Sequence, residues 1–440
     1  MLKVRNIYIS GNRHTKSYII KRELDIYEGN LIPIKDLVLR ISKGRQNIYN
    51  TTLFTEVKAD PLIVDAYTVD ILVEVREKWY IYPLPEFSLV DPSIEEWINK
   101  YHASLSRVNY GIRFVHHNLT GRRDELNLKL STGYTTDISL RYTNPYANSA
   151  LTKGYSFAGG YSKNKEVAFK TSYTNSYVYY DSPDFIRTAW NIEGAYYIRK
   201  HIKKSESIGL RIVYIAINDT LVSQAFNPHY FNTSTSQVTY PEFFYGLAYN
   251  DVNNILYPLK GYTATLGIIK RGLGFTGGIN MLQLQGEYDK YWKLKRKWYA
   301  SMQLQGKIKL PFDQPYYNQT AMGSGNTYLR GLDYSIIDGV LVGLAKFNLK
   351  RELFNFKVPT VLKKSKTFHY IPFHIYGKIY TDYGYCYTKE EFSSQLNNKF
   401  LYSGGLGIDI LTIYDLQFRF EYSFNQLGQN GLFLHNDKGF

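Results

Sequence analysis

From Leu416 to Phe424 the chain reads Leu-Gln-Phe-Arg-Phe-Glu-Tyr-Ser-Phe, a large apolar group at every second position and a polar or charged one at each position between. A period of two sorts side chains onto the opposite faces of an extended strand, whereas a helix would scatter both sets around its circumference. The pattern returns in Val108-Asn109-Tyr110-Gly111-Ile112-Arg113-Phe114, and where Phe347 and Leu349 alternate with Lys346, Asn348 and Lys350. In a soluble sandwich the polar face meets water; a barrel in lipid inverts the arrangement.

About sixteen such segments are expected: 107–117, 124–133, 135–143, 151–162, 166–178, 185–199, 205–216, 240–250, 260–271, 277–290, 296–309, 339–351, 370–382, 399–410, 414–425 and 431–440. Each approaches or exceeds the ~9–11 residues of a tilted membrane strand. If 107–117 runs outward, the inward turns near 134, 163–165, 201–204, 291–295 and 411–413 are short, and the long connections 217–239, 310–338 and 383–397 share the other side. Short turns at one end and long loops at the other mark outer-membrane barrels. The connection 352–369 departs from this asymmetry.

Composition agrees. Hydrophobic residues are 44% of the chain, yet no apolar run reaches the ~18 residues of a membrane helix. There are 43 Tyr against 4 Met, usage suited to strands and interfacial girdles. The repeat period of a propeller, ~40–50 residues, is absent. Lys and Arg exceed Asp and Glu by 53 to 38 but are spread along the chain without a basic tail, which points to a polar lumen and anionic lipid headgroups and away from nucleic acid. A single cysteine, Cys386, forms no internal disulfide.

Residues 1–79 spell a small α/β domain, β-α-α-β-β. A strand from Val4 to Ile9 leads to a helix over Thr15–Leu24; Ile34, Leu37, Val38 and Ile41 fall at the spacing of one helical face; Val69, Ile71, Val73 and Val75 line one face of a last strand. Residues 80–106, with Pro83, Pro85 and Pro92, read as a linker with a helical turn around Ile94, Trp97 and Ile98. Residues 107–440 are the barrel. Met1–Asn6 lacks the apolar core of a secretory signal, so residue 1 is expected to be a processed or truncated end.

The small domain, with Ile7-Tyr8-Ile9-Ser10-Gly11-Asn12 and Ile48–Val57, resembles a POTRA domain. Tyr328-Leu329-Arg330-Gly331-Leu332, followed by Asp338-Gly339, resembles the Arg-Gly motif in the sixth external loop of the BamA/TamA superfamily of outer-membrane assembly barrels, making the chain similar to a short, single-POTRA member. Physically, Arg330 beside Gly323, Gly325 and Gly331 can turn tightly and carry a guanidinium into a polar lumen. Strand parity places Asp382, Asp409 and Glu352 on that lumen. Asp382, in Tyr380-Thr381-Asp382-Tyr383-Gly384, also resembles the family's acidic partner; Lys350 stands where many members carry glutamate. Asn144-Pro145-Tyr146 resembles the second external loop, and the terminal Phe440 the outer-membrane sorting signal.

The resemblance implies an outer-membrane location with the small domain in the periplasm, insertion or translocation of client outer-membrane or secreted proteins, and periplasmic or lipoprotein accessory subunits. It places client entry at a seam between first and last strands, here Val108, Tyr110 and Gly111 facing Leu432, Leu434 and Phe440. The alternative is a channel or membrane anchor for an upstream module such as a lipase-type domain. No catalytic residues, cofactor or metal are expected: Gly-x-Ser-x-Gly, His-Glu-x-x-His and Walker motifs are absent, and His116-His117 has no third ligand in view.

Overall fold

The computed structural model describes residues 1–89, 102, 104–274, 278–323, 325, 327–359, 370–389, 394–412 and 416–435. The expected helical turn around Ile94, Trp97 and Ile98, together with Phe440, lies outside these residues.

The N-terminal unit contains β1 (Leu2–Ser10), α1 (Ser17–Leu24), β2 (Leu31–Ile32), α2 (Ile34–Tyr49), β3 (Phe54–Ile63) and β4 (Thr68–Glu77). Its sheet has the order β2-β1-β4-β3, with β1 and β4 parallel. Val69, Ile71, Val73 and Val75 pack against Ile19, Ile20 and Leu24 of α1 and Leu37, Ile41 and Ile48 of α2, all buried. The apolar stripe expected on α2 is split: Leu37 and Ile41 turn inward, while Ile34 and Val38 are 63% and 70% exposed. A sheet this small leaves one flank of α2 uncovered.

The chain then enters a sheet of sixteen strands through β5 (Ile81–Leu89), β6 (Val108–His117), β7 (Glu125–Gly133), β8 (Thr135–Asn144) and β9 (Lys153–Asn164). A separate hairpin, β10 (Glu166–Thr171) with β11 (Tyr177–Asp181), interrupts it. The sheet resumes with β12 (Arg187–Ile198), β13 (Lys204–Ile217), β14 (Gln237–Val252), β15 (Gly261–Arg271), β16 (Met281–Lys293) and β17 (Trp298–Leu310). A long loop carries β18 (Thr320–Met322) and β19 (Ile337–Asp338), and β20 (Leu341–Pro359), β21 (Tyr370–Tyr387), β22 (Phe400–Leu411), β23 (Gln417–Asn425) and β24 (Asn430–His435) complete the sheet. Every neighbouring pair of the sixteen is antiparallel, and the order runs from β24 at one end to β5 at the other.

The alternation is inverted as a membrane barrel requires. On β23, Gln417, Arg419, Glu421 and Ser423 are buried, whereas Phe418, Phe420, Tyr422 and Phe424 are exposed. The polar set faces a shared lumen and the apolar set faces outward, where only lipid removes the cost of exposing it.

Two expectations about the strands are corrected. Residues 81–89 are a strand of the sheet, pairing with β6 from Ile81↔His116 to Leu89↔Val108, where a linker was expected. Prolines suggested irregular backbone, but an edge strand tolerates them. Residues 166–178 alternate like a wall strand yet form β10 and part of β11, a hairpin outside the sixteen. The two deviations cancel in the count but reverse the direction of every strand between them. Thus 107–117 runs toward the small domain, and Asn144-Pro145-Tyr146, expected in an external loop, lies at the small-domain end. The 352–369 departure also resolves in part, because β20 continues to Pro359 and pairs with β21 up to Tyr370.

The turns at that end hold the small domain. Lys16 N–H donates to Gly121 O at 2.9 Å, Asn118 Nδ2 donates to Thr15 Oγ1 at 2.9 Å, and Ile255 N–H donates to Asn50 Oδ1 at 3.1 Å. At the centre Glu23 of α1 is fully buried, pairing with Arg199 at 2.5 Å and Arg22 at 2.7 Å and accepting from Tyr146 Oη at 2.9 Å. Burial alone would raise the Glu23 pKa; Arg199, Arg123 and Arg22 overcome this and hold it below its ordinary value.

Candidate functional site

The loop between β17 and β20 folds back onto the inner wall. Leu329 and Leu332 join Met322 and Ile337 of the loop in an apolar cluster against Val342, Leu344, Cys386 and Leu401 of the wall. At the loop's base, Lys309 Nζ donates to the carbonyls of Asn318 at 2.6 Å and Thr320 at 2.8 Å, satisfying oxygens that would otherwise be buried without donors. From outside, Asn175 of the β10–β11 hairpin grips the loop through both its backbone and side chain, to Ile336 N–H at 2.6 Å and Ile336 O at 3.0 Å.

Between these anchors Arg330 is fully buried. Its Nε and backbone N–H donate to Asp382 Oδ2 at 2.9 and 3.1 Å, and Nη2 pairs with Asp382 Oδ1, making a bidentate contact. Nη1 donates to Asn348 Oδ1 at 2.5 Å and lies 3.6 Å from Glu421. The guanidinium stacks over Tyr380, 3.9 Å from the ring centroid. Gly331 follows with φ +84°, and a Cβ there would stand 2.9 Å from Ser423 Cβ, so glycine is needed both for the turn and for the approach to β23. Asn425 donates to Gly331 O at 2.7 Å and fixes the turn to the wall.

Charges continue down the lumen. Glu421 pairs with Lys378 at 2.6 Å, Lys378 with Asp409 at 2.6 Å, and Asp409 with Lys350 at 3.1 Å while accepting from Tyr257 Oη at 2.8 Å. Register explains the assembly: the rung Lys350↔Lys378↔Gly407↔Glu421 crosses four strands. A Cβ at Gly407 would lie 3.1 Å from Lys378 Cε, so a larger residue would crowd the lysine that links the two carboxylates.

Of the residues singled out from sequence, Arg330, Gly331 and Asp382 come together. Asp409 joins the same network through Lys378 without touching Arg330. Glu352 lies apart, 3.7 Å from Lys297 and 3.6 Å from His374, because its rung with Tyr376 stands farther along β20 from the Lys346↔Asp382 rung that meets the loop. Glu421 and Asn348 were not singled out. Alternation puts both on the lumen, but only cross-strand register brings them to Arg330.

Val108, Tyr110 and Gly111 do not lie at an end of the sheet. They belong to β6, paired on both sides by β5 and β7, since the unanticipated β5 is the first strand. Leu432 and Leu434 are on the last strand, β24, 71% and 65% exposed. The ends are therefore β5 and β24, and among the described residues no ladder joins them.

The fold and inner-wall site define a transmembrane β-barrel of sixteen strands with a loop folded into its lumen. The profile of the Omp85 superfamily domain matches residues 118–430, and the chain belongs to that superfamily. Solved structures similar to it include BamA from Haemophilus ducreyi lacking POTRA domains 1–3, with TM-score 0.54, 15% identity, and coverage of 99% of this chain and 83% of that one. CdiB from Escherichia coli has TM-score 0.57 and 11% identity, with 99% and 74% covered. CdiB from Acinetobacter baumannii has TM-score 0.51 and 10% identity, with 99% and 73% covered. No curated protein sequence matches the chain.

Proposed function

We propose that this chain resides in the outer membrane and inserts client outer-membrane proteins into it or passes secreted ones across, with the small domain in the periplasm. Clients meet the small domain at the edge of its sheet formed by β3, and enter the barrel at the seam between β5 and β24.

The observation that carries this reading is the mismatch between the two end strands. His117 N–H donates to Tyr80 O at 2.8 Å, so even-numbered residues of β5 bond to β6 and odd-numbered ones direct their backbone polar groups to the open edge. Two of those odd positions are Pro83 and Pro85, which have no N–H. On the other side, Asn425 N–H donates to Gln429 O at 3.1 Å, which leaves the groups of Asn430, Leu432 and Leu434 facing the edge, each with a donor and an acceptor. Closing β24 onto β5 would leave two carbonyls without donors. At ~0.5–1.5 kcal/mol net per hydrogen bond the seam loses roughly 1–3 kcal/mol, and lipid offers no substitute. A client strand with its full set of donors competes well for β24.

A photocrosslinker at Leu434, compared with one at lipid-facing Phe243 on β14, tests this. Capture of client strands at Leu434 and not at Phe243 is expected. Equal capture at both positions would show that clients pass along the outer surface without using the seam.

A further inference from the structure

Between the outer flank of α2 and the outside of the barrel lies a cleft of 1130 Å³. Eight lysine and arginine side chains line it against two carboxylates, Asp25 and Asp251. Arg22 is engaged by Glu23, Lys203 by Asp251 and Lys204 by Glu206. Among the described residues, Arg40, Lys43, Lys200, Lys260 and Lys290 have no carboxylate partner within ion-pair distance. Five cations thus converge on one cleft beside a single unengaged carboxylate, Asp25.

The position of the cleft matters as much as its charge. Tyr249 and Tyr262, which line it, stack at 5.3 Å, and Tyr288 lies 6.3 Å from Tyr262. By parity with lumenal Glu242 and Arg271, these tyrosines face lipid, near the strand ends at the small-domain side. Aromatic rings so placed form the girdle that sits at headgroup level. The opposite wall carries Tyr27 and Leu39, 54% and 57% exposed. Apolar side chains beside unpaired cations are the pattern of a helix seated at a membrane interface.

We propose that this cleft binds the phosphodiester headgroup of an anionic glycerophospholipid from the leaflet beside the small domain. Lys43, Lys200 and Lys260 surround the phosphate, and the acyl chains leave over Tyr262. Such binding would brace the small domain against the membrane. The inference rests on the barrel's outer surface facing lipid and is independent of client insertion.

Native mass spectrometry of the full chain with phosphatidylglycerol, phosphatidylcholine or inorganic phosphate as probe tests it. Phosphatidylglycerol is expected to be retained about tenfold more than phosphatidylcholine. That preference is expected to vanish in the Lys43→Gln/Lys200→Gln/Lys260→Gln variant and survive when the same three become arginine, both variants keeping heat-modifiable migration as evidence of folding. Equal retention of the two lipids, or a preference unchanged in the folded glutamine variant, overturns the proposal. Displacement of phosphatidylglycerol by millimolar inorganic phosphate would make this a site for soluble anions and overturn the lipid assignment.

Discussion

Arg330, on a loop, and Asp382, on the wall strand β21, form a bidentate pair with both side chains wholly removed from solvent. Burying two charges costs several kcal/mol each, and the geometry recovers this only because Asn348, Tyr380 and Glu421 complete the guanidinium's surroundings. The pair therefore acts as a latch whose strength depends on both halves being present.

Arg330→Ala leaves Asp382 buried without its partner and should cost about 3–5 kcal/mol of stability. Asp382→Asn should cost a comparable amount, and the double variant less than the sum of the two. Unfolding in urea, followed by heat-modifiable migration, measures the cycle. Additive effects would mean that the pair does not operate as a unit.

At the other end of the barrel, Glu23 predicts a pH dependence. Its folded pKa lies below the ordinary glutamate value of 4.5. The docking energy it supplies is therefore present above pH 4.5 and is lost as pH falls through the lower folded value. Hydrogen exchange of α1 should remain slow from pH 7 to 5 and accelerate below 4.5. Glu23→Gln should weaken protection at pH 7 and flatten the profile, and identical acid profiles for both proteins would remove Glu23 from the explanation.

Pro83 and Pro85 predict an unusual gain. Replacing both with threonine restores two N–H donors at the open edge of β5, and should stabilise seam closure by roughly 1–3 kcal/mol while slowing client insertion severalfold. Crosslinking yield between β5 and β24, read beside the insertion rate, checks both halves. A faster insertion rate in the variant would contradict the role given to the prolines.

Alternation along single strands was enough to read which face each residue takes, and hence that Asp382, Asp409 and Glu352 are candidates for one lumen. It carries no information on how far neighbouring strands are staggered. That is why Asp382 meets Arg330, Asp409 is reached only through Lys378, and Glu352, on the rung with Tyr376, pairs with other partners. Pro83 and Pro85 hid β5 because proline removes a ladder donor and so reads as a break; here the missing N–H groups fall on the open edge. Residues 166–178 imitated a wall strand because hairpin and wall share the same period. Those two substitutions for one another preserved the count of sixteen and displaced Tyr146 to the opposite end of the barrel, where it contacts Glu23.

The most direct test is a reducible tether across the seam. Cys386 is wholly buried, so cysteines placed at Phe87 on β5 and, in turn, at Asn430, Leu432 and Leu434 on β24 can be joined selectively. Insertion of a client barrel should stop once the strands are linked and resume on reduction. Undiminished insertion with the seam verified as closed would contradict the account.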